Sequence, residues 1–139
     1  MRPLWKPVVG WACLYEVSDH GQVRAQARAV RTRDPHGMWT IRRLRSKLLR
    51  KRPNRRGHLR VMLSVANADL PTTRLHAYVH TLVAEAFIGL RPEGTLVCHR
   101  DDCKRNNRAT NIYYGTRVDN AQDALRNGCH GTERRRRSK

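Results

Sequence analysis

Acidic residues are scarce in this chain, and their scarcity excludes more than any other feature. Only 11 Asp and Glu stand against 29 Lys and Arg, a formal charge of +18 over 139 residues. An excess of this size repels itself and gathers polyanions, so nucleic acid is the first partner to consider. Between Arg24 and Arg60 the one acid is Asp34. Long apolar runs are also missing. The opening Met1–Pro7 holds Arg2, Lys6 and two prolines, which fits neither a signal peptide nor a membrane-spanning helix. A cytoplasmic protein with no membrane partner is expected. Cys13, Cys98, Cys103 and Cys129 are even in number, but without a secretory context they read as reduced thiols or metal ligands. Aromatics are thin, and no stacking platform for unpaired bases is visible, which counts against an RNA-binding protein.

What is present is basic charge, unevenly placed. Arg24, Arg28, Arg31, Arg33, Arg42, Arg43, Arg45, Lys47, Arg50, Lys51, Arg52, Arg55 and Arg56 are the candidate DNA-binding residues. Most are arginine, whose planar fork grips phosphate in a bidentate way and can read guanine edges. The plain alternative is a solubilising surface or a disordered arm. Little periodicity organises this stretch, which Asp34-Pro35-His36-Gly37 and Pro53-Asn54 interrupt, and a flexible arm is expected.

On either side the pattern is clearer. Trp11–Arg24 reads as a β-hairpin, with Leu14, Tyr15 and Val17 before a turn at Ser18–Gly21 and Val23 after it. Leu59, Val61, Leu63 and Val65 alternate as in a half-buried strand. A turn near Ala68–Thr72 and a short extended piece over Arg74–Tyr78 follow. Val79, Leu82, Val83, Ala86 and Phe87 recur at helical spacing, with Gly89 where the helix should stop. Thr95–His99 reads as extended, Asp101–Thr110 as turn-rich and Asn111–Tyr114 as a second strand. A last helix is expected from Thr116 or Arg117 to Asn127.

Cutting a phosphodiester needs a proton acceptor for water and a cation for the charge that develops on the leaving oxygen. A histidine, with its ordinary pKa of about 6.5, offers a neutral imidazole near neutrality. His99 stands at the end of one strand, Asn111 at the start of the next and Asn120 in the helix. Val79–Gly89, Val97-Cys98-His99-Arg100-Asp101, Asn106-Asn107, Asn111-Ile112, Gly115-Thr116 and Asp119-Asn120 together resemble the HNH nuclease signature of phage and intron homing endonucleases. Trp5–Trp11, Tyr15–Ser18 and Gly21–Arg24 resemble the nuclease-associated DNA-binding hairpin module that accompanies it.

The resemblance implies a ββα-metal site. His99 would be the general base, Asn111 the organiser of the loop and Asn120 a metal ligand. Cleavage would leave 5′-phosphate and 3′-hydroxyl ends. Some members carry an acidic ligand just before the histidine, where this chain has Cys98, a poor ligand for Mg²⁺. Asp123, one turn after Asn120, is a candidate replacement, with a solvated or structural role as the plain reading. Mg²⁺ is the expected cofactor, with Mn²⁺ the alternative. Cys98, Cys103, Cys129 and His130 could be imagined as a structural zinc set, but their spacing matches no finger pattern. His80, a single helical histidine, reads as structural, and so do Asp101 and Asp102 in their turn.

The expectation is therefore an α+β chain. A small N-terminal β-hairpin module and basic linker fill residues 1–56, a ββα-metal HNH unit fills 57–130 and a basic tail fills 131–139. It would cut or nick double-stranded DNA, with a homodimer as one arrangement. The rival is a non-catalytic basic DNA-binding protein on a degenerate HNH scaffold.

Overall fold

The computed structural model describes residues 1–65 and 72–128. Along the chain run β1 (Trp5–Pro7), β2 (Tyr15–Ser18), β3 (Val23–Ala25), β4 (Arg28–Arg33), β5 (Trp39–Leu44), β6 (Lys47–Leu48), β7 (Arg52–Pro53), β8 (Leu59–Val65) and β9 (Thr73–Tyr78). Then come α1 (Val79–Phe87), β10 (Leu96–His99), a 3-10 turn (Ala109–Asn111), β11 (Ile112–Gly115) and α2 (Arg117–Arg126). The turn expected near Ala68 lies largely outside the described residues, as do Cys129, His130 and the basic tail.

The strands join in four antiparallel groups, β1-β2-β3-β6, β4-β5, β7-β8-β9 and β10-β11. The basic stretch expected to be an arm is built from strands instead. Within it β4 and β5 form a two-stranded ribbon with Arg33 opposite Trp39 and Arg28 opposite Leu44. Asp34 shapes its turn, accepting at Oδ1 from the backbone N–H groups of His36 and Met38, both at 2.9 Å. The ribbon escaped sequence reading because β5 is almost wholly exposed, so no apolar face alternates with a polar one.

Elsewhere apolar side chains do choose a face. Val8, Tyr15, Val17 and Val23 from the first sheet meet Val61 and Leu63 of β8, Val79, Leu82, Val83 and Ala84 of α1, and Ile112 of β11 in one core. Burying a side chain of this size contributes about 1.5–3 kcal/mol. The Tyr15 hydroxyl ties the first sheet to β8, donating to the Ser64 carbonyl and accepting from its N–H, each at 2.9 Å. α2 starts with a capping box, in which Thr116 Oγ1 accepts from the Asp119 N–H at 3.2 Å and Asp119 Oδ2 accepts from the Thr116 N–H at 2.7 Å. Among the described residues no helix is long and apolar enough to cross a membrane.

The β10–β11 hairpin lies between the two helices. Val97, Tyr114 and Ile112 turn to the core beneath α1, and His99, cross-strand partner of Ile112, shares that face. Cys98 and Tyr113, also cross-strand partners, turn to α2.

Candidate active site

His99 closes β10 and is 6% exposed. Its Nε2 lies 2.9 Å from Oδ1 of Asn107, which is 2% exposed. An amide oxygen accepts and cannot donate, so with Oδ1 facing the ring the neutral imidazole carries its proton on Nε2 and keeps the Nδ1 lone pair. Around the ring stand two more imidazoles, His80 with its centroid at 5.3 Å and His58 at 6.3 Å. His80 stacks on Tyr78 at 5.4 Å, and its Nδ1 is buried with no hydrogen-bond partner. Burial, with His99 and His58 alongside, pushes the His80 pKa down to about 3. Burial and then the charges of Lys104, His99 and Arg56 lower that of His58.

The loop between the hairpin strands is fixed from inside. Asn111 Nδ2 donates to Asp101 Oδ1 and to the Asn106 carbonyl, both at 2.8 Å, and Asn111 Oδ1 accepts from the Asp101 N–H at 3.2 Å. Asp101 also accepts from Asn106 Nδ2 at 2.7 Å and from the Cys103 N–H at 2.9 Å. Slight burial raises the Asp101 pKa, but these donors outweigh it and hold the carboxyl below the usual range.

On the α2 face the candidate metal ligands do not form a closed set. Asn120 is exposed. Asp123 is 5% exposed, with Oδ2 accepting from the Tyr113 hydroxyl and Oδ1 from Arg126. Asp119, Asp123, Gln122, Arg100, Tyr113 and Arg126 line a shallow depression of about 240 Å³. Cys98 lies beneath it, 1% exposed, and a Cβ on Gly115 would sit 3.3 Å from its sulfur. Burial and then Asp123 raise the thiol pKa, so the sulfur stays protonated. Cys103 is exposed. Among the described residues no group of three His, Cys, Asp or Glu side chains is arranged to hold a metal ion.

Most of the candidate DNA-binding side chains are exposed, including Arg42, Arg43, Arg45, Lys47, Arg50, Arg52, Arg55 and Arg56. Three have work inside the fold. Arg24 pairs with Glu16 at 2.6 Å and covers Trp5, Arg28 donates to the Leu14 carbonyl at 3.3 Å, and Lys51 donates to the Gly21 carbonyl at 3.1 Å. On the ribbon, the guanidiniums of Arg31 and Arg33 lie 4.2 and 4.5 Å from the centroid of Trp39.

Sequence reading gave no role to Asn107 or His58 and left His80 as structural. Asn107 belongs to one of the signature blocks, but its contact with His99, eight residues earlier across an irregular loop, leaves no mark in the sequence.

A histidine closing the first strand of a hairpin, an asparagine-bound loop and a helix behind the second strand define an HNH-type nuclease unit. Residues 77–122 match the HNH endonuclease family, and residues 4–64 match the NUMOD4 motif. The chain thus carries an HNH endonuclease domain preceded by a NUMOD4 motif. The solved structure of the HNH homing endonuclease I-HmuI, described as showing DNA binding and cleavage, is similar with a TM-score of 0.66 at 25% identity. The likeness covers 94% of this chain and 63% of that one, so this chain spans less than two thirds of the I-HmuI chain. No curated protein matches.

Proposed function

We propose that the chain is a metal-dependent endonuclease that hydrolyses phosphodiesters of double-stranded DNA, with His99 as general base. The observation that carries this reading is the Nε2 contact to Asn107, which leaves Nδ1 as the proton acceptor in a chain similar over 94% of its length to an HNH homing endonuclease. His99 and α2 lie on opposite sides of the hairpin. A phosphate can meet both only beyond the end of β10, where the loop begins. There Nδ1 takes a proton from water, the hydroxide oxygen bonds to phosphorus and the P–O3′ bond breaks. Solvent returns a proton to the leaving oxygen, giving 5′-phosphate and 3′-hydroxyl ends.

A divalent ion, Mg²⁺ or Mn²⁺, would supply charge neutralisation at the phosphate. The α2 face fits such an ion held partly by protein: Asn120 would offer an amide oxygen, with phosphate oxygens and water completing an oxygen set. Asp123 would join it only by giving up Arg126. Asn111 holds the shape of the loop that follows His99. The exposed arginines of the ribbon and of the segments around β6 and β7 would hold the duplex.

The occupied carboxylate of Asp123 and the neutral thiol of Cys98 favour one rival, a DNA-binding protein without catalysis. Plasmid nicking with Mg²⁺, with Mn²⁺ and with chelator decides between them. Cleavage that needs metal and disappears in His99→Ala supports the enzyme, whereas binding with no cleavage in any metal supports the rival.

A further inference from the structure

We infer that the turn of the N-terminal module is part of the positioning apparatus of the general base, acting on His99 through Asn107. This rests on the nuclease reading of His99 and adds a residue chain that the reading does not contain.

The turn Ser18–Gly21 is rigid for reasons visible in its bonds. Ser18 is fully buried, its Oγ accepts from the Gln22 N–H at 3.0 Å and its carbonyl accepts from the Gly21 N–H at 3.0 Å. Asp19 is held to the chain start, with its N–H donating to the Leu4 carbonyl at 3.1 Å and its Oδ1 accepting from the Leu4 N–H at 2.9 Å. Lys51 fastens the Gly21 carbonyl from the other side. This turn presses directly on the HNH loop. The Asp19 carbonyl accepts from the Ala109 N–H at 2.8 Å. A Cβ at Gly21 would lie 2.9 Å from the Asn107 carbonyl oxygen and 3.0 Å from its Cβ, so only glycine permits the approach. Its φ of +77° imposes the same choice.

Asn107 is thereby fixed at its backbone by one module, while its side chain fixes the imidazole of the other. Its Nδ2 is buried with no hydrogen-bond partner, so no second polar contact sets the amide. The turn, packed against the Asn107 backbone and Cβ, fixes where that side chain begins. Asn107 and Gly21 are positioning residues, and the nuclease unit acquires its base in one tautomer only with the N-terminal turn in place.

The test uses the full chain, ¹⁵N-labelled, in wild type, Gly21→Ala, Asn107→Ala and Ala109→Pro. The last removes the N–H that reaches Asp19 at the first residue of a 3-10 turn after an extended Arg108, where a proline ring is accepted. Imidazole ¹⁵N–¹H correlation spectra report which nitrogen of His99 carries the proton, and they need no cleavage. Wild type should show the proton on Nε2, and each variant should show mixed protonation. In cleavage, kcat should fall about tenfold or more, as for a slightly misplaced catalytic group, with duplex Kd within about twofold. Gly21→Ala/Asn107→Ala should be no worse than Asn107→Ala alone. A folded Gly21→Ala or Ala109→Pro that keeps the wild-type tautomer, or a double variant whose losses multiply, overturns the inference. If the tautomer shifts as stated but wild type cuts no DNA in any metal, the positioning stands and the nuclease reading falls.

Discussion

Asn111 and Asp101 hold one another in both directions, the Asn111 amide donating to the Asp101 carboxylate at 2.8 Å and accepting from the Asp101 N–H at 3.2 Å. This pair closes the loop that leaves His99 and returns to β11. Asn111→Ala removes three hydrogen bonds, one of them to a charged group. The variant should lose about 1–3 kcal/mol in urea unfolding. Cleavage should fall further than stability explains. An unchanged midpoint would mean that the loop is held elsewhere.

The ribbon gives a salt-dependent prediction. Arg31, Arg33 and Arg43 share one of its faces with Trp39 and Ile41. If these arginines neutralise phosphates, replacing all three with alanine should weaken duplex binding and lower the slope of log affinity against log salt by about 0.9 for each phosphate left unneutralised. The core should be untouched, so thermal unfolding should shift little. Titrations at several salt concentrations check both statements, and an unaltered slope assigns the grip to another face.

His80 makes acid costly. In the unfolded chain it takes up a proton near its ordinary pKa of 6.5, whereas in the fold it stays neutral down to about 3. As pH falls below 6.5 the unfolded state therefore gains protons that the folded state refuses, which removes up to about 1.4 kcal/mol per pH unit. Above 6.5 the group contributes nothing to pH dependence. His80→Leu should flatten stability between pH 6.5 and 4 relative to wild type, as measured by urea unfolding at fixed pH values.

Metal titrations of cleavage distinguish the two α2 candidates. Asn120→Ala should raise the Mg²⁺ or Mn²⁺ concentration for half-maximal nicking by about tenfold, the scale expected when a group that supports a metal site is removed. Arg126→Ala frees one oxygen of Asp123 and should lower that concentration if the carboxylate can serve. Asp123→Asn with wild-type metal dependence would remove Asp123 from the site.

Much of this was legible in the residues. α1 has the expected bounds, and β8, β9, β10, β11 and α2 lie within a residue or two of them, because each presents one apolar face or a capping signal to a shared core. The ribbon was not legible, since strands wet on both sides leave no periodic mark. His99 stands out as a candidate from its block of neighbours, whereas its environment does not. The amide on its Nε2, the imidazoles of His58 and His80 and the glycine behind Asn107 come from four separate segments that only the folded chain brings together. The same holds for Asp123, whose engagement by Tyr113 and Arg126 depends on how α2 lies on the hairpin.

β4 and β5 pack chiefly against each other and contribute no residue to the buried core. A protein engineer could therefore lengthen, trim or replace that finger between Arg28 and Leu44 as a loop graft. The segments before and after it have no such freedom: cutting the chain between residues 65 and 77 would strip Val8, Tyr15, Val17 and Val23 from the hydrophobic interior. The finger is exchangeable by surgery, while the unit around His99 has to be transplanted whole.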